Sequence, residues 1–242
     1  MLILLPPSEG KTAPRRGKPL DVAGLSRPAL APLREQVLAA LVELCRDAPR
    51  AMDVLGLGPT QFDLVAANAE LREAPTAAAG AVYAGVLYAA LDYGSLPDRR
   101  RANRRLAVVS SLFGLIGLTD RIPAYRLSGG TPLLGGLPRL WRDVLTAEVE
   151  RERGLVVDML STPYASFVHM PPDAVTVKVW QAGVTGQRTA ASHFNKATKG
   201  HLARALCLAD EPRTPAELLE AVRAAGFEAA LDGRRLDVQR VD

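Results

Sequence analysis

MLILL at residues 1–5 is a run of five apolar residues. It is followed by PPSEGKTAPRRGKP at residues 6–19, a segment rich in Pro, Gly and charge. A short apolar run bounded by such residues is typical of a strand buried on both faces. No basic region precedes the run and no small-residue cleavage site follows a long apolar core, so a signal peptide is not indicated. We therefore expect Met1 to Leu5 to form a first strand, followed by a long basic loop.

Strand and helix patterns alternate along the rest of the chain. The predicted segments, in order, are helices at 28–47, 52–71 (two helices around a turn) and 77–91, a strand at 106–109, a helix at 140–153, strands at 155–160 and 175–181, and helices at 189–208 and 214–225. Asp232-Gly233, between apolar runs, then predicts a C-terminal β-hairpin. The order predicts a mixed α/β (α+β) fold with a single sheet, surrounding helices and one domain over residues 1–242.

Composition narrows the class of protein. The chain has 242 residues, 48% hydrophobic and 23% charged, and no apolar run approaches the ~18 residues of a membrane span. Cys45 and Cys207 lie far apart inside helical patterns, so we expect no disulfide framework and a cytoplasmic location, with no membrane partner. Of 30 basic residues 25 are Arg, which suits phosphate contact but can also reflect genome base composition. Nothing in the pattern indicates an oligomeric state.

A Gly-Leu-Gly turn stands between the two helices predicted at about residues 50–72. Gly56, Leu57 and Gly58, followed by Pro59, match a helix-hairpin-helix, whose turn points backbone amides at a nucleic-acid phosphate. Phe62 departs from that pattern, because a small alanine is usual there. A nucleic-acid hairpin and an ordinary helical corner both remain open.

Lys11 follows the first strand within Gly10-Lys11-Thr12, the ending of a phosphate-binding loop. The first glycine of that motif would fall at Leu5, and Pro14 would stop the helix that should follow. A nucleoside triphosphatase is therefore not predicted. An anion-binding Lys11 and a solvated loop lysine both remain open.

One face of the helix predicted at 189–208 is basic. His193, Lys196, Gly200 and Arg204 fall at steps of three, four and four residues, and Lys199 lies near the edge of that face. A glycine among cations permits close approach of a phosphate. A solvated helix face explains the same pattern equally well.

Other kinds of site receive little support. The three histidines do not occur in a zinc-binding spacing, so neither a metal nor a cofactor is predicted. No nucleophile elbow of the type Gly-x-Ser-x-Gly occurs. Asp143 and Asp158 could serve as a general acid or base, although a lone carboxylate is usually structural. The segment 110–136 reads as a long irregular loop, which makes it a functional candidate.

Several short motifs occur in an order that resembles one family. They are Pro7-Ser8 with Lys11-Thr12, Val82-Tyr83-Ala84-Gly85, Ser111-Leu112-Phe113-Gly114, Pro123-Ala124-Tyr125-Arg126-Leu127, Leu140-Trp141, Ser161 with Tyr164, and Lys196-Ala197-Thr198-Lys199-Gly200 with Arg204. On these motifs the chain resembles, nearly end to end, the YaaA family of bacterial peroxide stress response proteins. The resemblance implies a cytoplasmic, DNA-binding protein with a helix-hairpin-helix and a basic cleft, which limits iron-dependent oxidative damage.

Two functions follow as hypotheses. In the first, double-stranded DNA binds to a basic cleft and to the hairpin; the predicted contacts are Gly56, Leu57, Gly58, Ser8, Lys11, Arg126, Ser161, His193, Lys196, Lys199 and Arg204. In the second, the protein is an enzyme for a small anionic or nucleotide-like substrate, with Lys11, Tyr125, Tyr164 and Lys196 as candidate catalytic residues. A purely structural interaction module has no sequence feature in its favour.

Overall fold

A central sheet organises the structure, a computed structural model that describes residues 1–182, 188–189 and 192–240. The strands are β1 (Leu2–Leu5), β2 (Ala77–Ala78), β3 (Leu106–Ser110), β4 (Gly114–Gly117), β5 (Arg121–Ile122), β6 (Val156–Asp158), β7 (Val175–Val179), β8 (Gln181–Ala182), β9 (Arg188–Thr189), β10 (Phe227–Asp232) and β11 (Arg235–Arg240). Seven of them form one sheet in the order β10-β11-β7-β6-β1-β3-β4. The expected mixed α/β fold with a C-terminal hairpin is confirmed.

The helices of the described residues surround this sheet. They are α1 (Ala31–Leu44), α2 (Ala48–Val54), α3 (Phe62–Ala69), α4 (Ala79–Val82), α5 (Val86–Leu91), α6 (Arg99–Arg105), α7 (Leu137–Glu150), α8 (Thr162–Ala165), α9 (Ser192–Leu208) and α10 (Pro215–Ala224), with 3-10 turns at Pro28–Leu30, Pro59–Gln61, Tyr93–Ser95 and Leu133–Gly135. None of them is long and apolar enough to cross a bilayer.

The centre of the sheet is parallel and buried. β1 pairs in parallel with β3 on one side and with β6 on the other, and β6 pairs in parallel with β7. The side chains of Leu2 to Leu5 are at most 3% exposed. Helices therefore cover both faces, as a parallel sheet requires. The antiparallel strands β4 and β10 lie at the two outer edges.

The segment predicted as an irregular loop, residues 110–136, is more ordered than expected. It contains β4, which pairs with β3, and β5, which pairs with β2 in a separate small sheet. The start of this segment is held by the fully buried Arg34 of α1, which donates to the carbonyls of Phe113 and Leu115. A Cβ on Gly114 would lie 2.6 Å from the buried Trp141 ring, which explains why glycine stands there.

α9 packs closely on α5, so part of the helix surface predicted to be basic is covered. A Cβ on Gly200 would lie 2.2 Å from the Leu87 carbonyl oxygen and 2.7 Å from Ala90 Cβ. The expectation that Gly200 admits a phosphate is therefore wrong, because its close approach serves the packing of two helices.

Candidate functional site

The ends of three parallel strands bring the candidate residues together. β6, β1 and β3 are neighbours, so the segments that follow them meet at one edge of the sheet, which we call the carboxyl edge: residues 6–12, 110–113 and 159–164. The chain places β3 on one side of β1 and β6 on the other. In open parallel sheets such a change of direction marks where ligands bind, beyond the carboxyl ends of the strands, and we call this place the crevice.

Lys11 lies in this crevice because its backbone is paired with the segment before α5. Lys11 and Tyr83 form a short antiparallel bridge, and the Thr12 amide donates to the Val82 carbonyl. The Lys11 Nζ donates to the Ser8 carbonyl at 2.8 Å and lies 4.0 Å from the centre of the Tyr125 ring. Its distance to the Tyr83 ring centre is 5.6 Å. The predicted basic loop thus folds its lysine inward.

This environment changes the protonation of the amine. Burial, with a smaller contribution from the positive charge of Arg126, lowers the pKa of Lys11 from 10.5 to about 7, against an opposing effect of Glu9. At neutral pH a large fraction of Lys11 is therefore uncharged. An uncharged lysine amine can act as a base or as a nucleophile, which an ordinary surface lysine cannot do at this pH.

A chain of buried hydroxyl groups supports the Tyr125 ring. The Tyr125 hydroxyl lies 3.0 Å from that of Tyr83 and 2.7 Å from Ser110 Oγ. Ser110 Oγ in turn accepts the amides of Leu112 and Phe113. Burial raises the pKa of both tyrosines, so they stay neutral phenols. The Lys11 amine meets the face of the Tyr125 ring, which stabilises the charged amine by a cation–π contact.

Arg126 is the second cation at this edge. Its backbone is held by Asn68 of α3, which accepts the Arg126 amide at 2.9 Å and donates to its carbonyl at 2.7 Å. Its Nη1 lies 3.2 Å from a Glu9 oxygen, whereas its buried Nε has no hydrogen-bond partner within the described residues. A guanidinium with an unused donor is suited to bind an anion that enters the crevice.

Three other predicted residues support the backbone of the site. Ser8 Oγ donates to the Gly10 carbonyl and accepts the Ala84 amide. The Ser161 carbonyl accepts the amide of Tyr164 at the start of α8, and the buried Tyr164 hydroxyl accepts the Gly129 amide at 3.2 Å. Burial raises the pKa of Tyr164, which therefore remains neutral. Tyr164 and Ser8 shape the crevice, and these contacts already occupy the polar atoms named.

The basic residues of α9 divide into different environments. Lys199 Nζ donates to the carbonyls of Met159 and Leu160, directly after β6. Its burial, opposed by nearby Asp158, lowers its pKa to about 8. Lys196 is exposed, whereas Arg204 donates to the Leu91 carbonyl at the end of α5. The side chain of His193 lies outside the described residues.

The side chains of α9 therefore do not form the single basic face that the spacing predicts. Lys199 reaches the carboxyl edge and Lys196 faces solvent. Arg204 also donates to the Asp92 carbonyl at 2.8 Å and so caps α5, and its contact with phosphate remains a prediction. Helical periodicity identified the shared face, but it could not show that another helix covers part of it.

The Gly-Leu-Gly turn is present between α2 and the 3-10 turn that leads into α3. Gly56 has a φ of 62°, in the left-handed region that favours glycine. The three turn amides already have acceptors: Gly56 donates to the Asp53 carbonyl, Leu57 to the Met52 carbonyl, and Gly58 to Gln61 Oε1. The prediction that they contact phosphate remains a prediction, and it would require these hydrogen bonds to break.

Among the site residues, Tyr83, Ser110, Glu9 and Asn68 were not singled out from the sequence. Tyr83 and Ser110 belong to or adjoin the ordered motifs, which was the available signal. Within the described residues, no three His, Cys, Asp or Glu side chains come together as a metal ion would require. The free cysteines Cys45 and Cys207 are buried, and burial raises the pKa of both thiols.

Comparison with known proteins agrees with the ordered motifs. A family profile described as "Peroxide stress protein YaaA" matches residues 1–231. A UPF0246 protein of Streptomyces coelicolor is 48% identical over 242 residues, covering 94% of this chain and 91% of the relative. A UPF0246 protein of Corynebacterium glutamicum is 42% identical over 94% of each chain, and one of Shewanella loihica is 29% identical over 84% of each. The chain therefore belongs to the YaaA family of peroxide stress proteins.

Proposed function

We propose that this protein binds DNA in the cytoplasm during peroxide stress and that the phosphate contacts are made at the carboxyl edge. The observation that carries the proposal is the proximity of two cations, Lys11 and Arg126, of which Arg126 has a buried Nε without a hydrogen-bond partner in the described structure. Among the described residues, Glu9 is the one carboxylate that lies against these two cations. The crevice therefore carries excess positive charge where a phosphate can enter.

Further cations are exposed on the segment that follows Lys11, at Arg15 and Arg16, and on α9, at Lys196. Contacts of this type hold the backbone of a nucleic acid without reading its sequence. Protein bound along the DNA would shield the sugar-phosphate backbone. We propose that the protein limits iron-dependent damage in this indirect way.

A second candidate function rests on a different observation, the enclosure of the Lys11 amine. A lysine packed against the Tyr125 ring with a pKa of about 7 is more reactive than phosphate binding alone requires. This favours an enzyme that acts on a small anionic or nucleotide-like substrate. Lys11 would be its base or nucleophile, and Arg126 would hold the anion.

A titration at several salt concentrations tests the first proposal. Purified protein is added to a short labelled duplex and fluorescence anisotropy is recorded from low salt to above physiological salt. The logarithm of the binding constant should fall linearly with the logarithm of the salt concentration, because phosphate contacts release counterions. Absence of binding at low salt would overturn the DNA proposal.

The second proposal has its own readout. Inorganic phosphate and nucleoside monophosphates, added to the protein without DNA, should raise the thermal unfolding midpoint by mass action. The rise should be lost in Arg126→Gln. It should be kept in Arg235→Gln, because the exposed Arg235 pairs with Asp237 and lies at the start of β11, at the end of the strands opposite the carboxyl edge. Equal shifts in both variants would refute a specific anion site.

A further inference from the structure

Lys11 differs from the other four lysines of the chain in what surrounds its amine. Lys18, Lys178 and Lys196 are exposed, and Lys199 is occupied by two carbonyl acceptors. In the part of the chain that the structure describes, the Lys11 amine has one hydrogen-bond acceptor, the Ser8 carbonyl, and it rests on the face of the Tyr125 ring. A neutral amine in this position keeps a lone pair for reaction.

The residues next to Lys11 indicate what kind of electrophile fits. Arg126 lies close enough to influence the protonation of Lys11, and its Nε has an unused donor within the described structure. A guanidinium binds phosphate well, and an unprotonated lysine amine condenses readily with aldehydes. The site therefore combines a nucleophile for a carbonyl carbon with a holder for a phosphate.

We propose that Lys11 forms an imine with an aldehyde that carries a phosphate group, as the open-chain deoxyribose of an abasic site in DNA does. This inference rests on the proposed binding of phosphate at the carboxyl edge. The Lys11 nitrogen attacks the aldehyde carbon, the C=N bond replaces the C=O bond, and both amine hydrogens leave with the carbonyl oxygen as water. No oxidant or reductant takes part.

The chemistry matches the stress that the family name describes. Oxidative attack on deoxyribose and bases leaves aldehydes attached to phosphodiesters, so a reversible imine would hold the protein at a lesion. A small phosphorylated aldehyde presents the same two groups without DNA. The two sources share one recognition chemistry, and the test below separates them.

Reduction with sodium borohydride converts an imine into a stable amine and so traps the adduct. In one arm the probe is a labelled duplex with a single abasic site, and in the other it is pyridoxal 5′-phosphate. The products are examined by denaturing gel, intact mass and peptide mapping. We expect the adduct to map to Lys11, at a yield at least about tenfold above that at exposed Lys18, because far more of Lys11 is unprotonated at neutral pH.

Variants make the result specific. Lys11→Met should lose the adduct, whereas Lys18→Met should keep it. Arg126→Gln should lower trapping of pyridoxal 5′-phosphate but not of unphosphorylated pyridoxal, since only the former uses the guanidinium. Circular dichroism and the thermal midpoint show whether each variant is folded, and trapping on wild-type protein remains informative even if one variant does not fold.

The outcomes separate the inference from the function on which it rests. Trapping of the abasic duplex at Lys11 supports the proposal with DNA as the source, and trapping of pyridoxal 5′-phosphate alone supports it with a small ligand. Adducts spread over all lysines, or no adduct, overturn it. In the last case, salt-dependent anisotropy with the same duplex shows whether DNA binding stands without the imine.

Discussion

Replacement of Lys11 by Met should stabilise the folded protein at neutral pH while removing a residue of the proposed site. A buried amine that must carry a proton costs free energy of folding, because the unfolded chain solvates the charge fully. Methionine has a similar length and no charge. Residues that serve binding or catalysis are often kept at such a cost to stability.

The size of the effect follows from the pKa of Lys11. A fall from 10.5 to about 7 corresponds, at about 1.4 kcal/mol per pKa unit, to about 5 kcal/mol for the fully charged amine and to about 4 kcal/mol at pH 7. Loss of the cation–π contact with Tyr125 and of the hydrogen bond to Ser8 offsets roughly 2–3 kcal/mol. A net stabilisation of about 1–2 kcal/mol remains.

The pH dependence has a definite sign. Between pH 7 and pH 10.5 the unfolded chain binds more protons at this position than the folded protein, so wild-type stability rises with pH across that window. Lys11→Met has no such group. Its advantage should therefore be largest at or below pH 7 and should disappear near pH 10.

Urea unfolding followed by tryptophan fluorescence measures this difference, since Trp141 is fully buried in the native protein. Curves are recorded for wild type and Lys11→Met at several values between pH 6 and pH 10. Lys18→Met, at an exposed position of the same segment, is the matched control and should change little. A Lys11→Met protein that is less stable than wild type at pH 7, or a difference that does not depend on pH, would refute the reasoning.

Three further outcomes are expected. Gly200→Ala should lower the free energy of unfolding by about 2–3 kcal/mol in urea titrations, because its Cβ would meet the Leu87 carbonyl at 2.2 Å; an unchanged midpoint would show that α5 and α9 can separate without cost. Gly56→Val should lower the free energy of unfolding by about 1–2 kcal/mol through strain at a φ of 62°. The folded variant should nevertheless bind the duplex within about twofold of wild type. A larger loss of affinity would show that the turn contacts phosphate. Duplex affinity at constant salt should rise as the pH falls from 8 to 6, since Lys11 gains its proton below about pH 7; an anisotropy series with no such rise would place the contact elsewhere.

Strong local signals in the sequence predicted most of the fold. The apolar run of Leu2 to Leu5 can be buried only in the middle of a covered sheet, and Asp232-Gly233 permits the tight turn of the C-terminal hairpin, where Gly233 has a φ of 58°. The weaker local pattern of residues 114–117 did not predict the strand β4. β4 consists of only four residues, Gly114 to Gly117, and the partner that makes it a strand is supplied by tertiary structure.

An arginine-rich segment, residues 98–105, precedes β3. It forms α6, which begins where Asp98 accepts the Arg101 amide. Arg105 is buried in this helix and donates to the carbonyl of Leu206, in the last turn of α9, and to that of Ala209, directly after α9. Charge alone did not indicate that part of this run belongs to the interior.

The candidate site was only partly predictable for a similar reason. Lys11, Tyr125 and Arg126 were each proposed from their motifs, and the structure places them together. The hydrogen bonds of Tyr83 to Tyr125 and of Asn68 to Arg126 join positions more than forty residues apart, which spacing cannot detect. The same limit explains why the spacing of Gly200 and Arg204 did not indicate their contacts with α5.

The salt dependence of duplex binding by Arg126→Gln, compared with wild type, tests most directly whether the carboxyl edge holds phosphate. If Arg126 neutralises one phosphate, the variant should bind more weakly and the slope of log binding constant against log salt should decrease by about one. Arg235→Gln, at the opposite edge, should keep both the affinity and the slope. An unchanged slope in folded Arg126→Gln would contradict the assignment of the phosphate site to this edge.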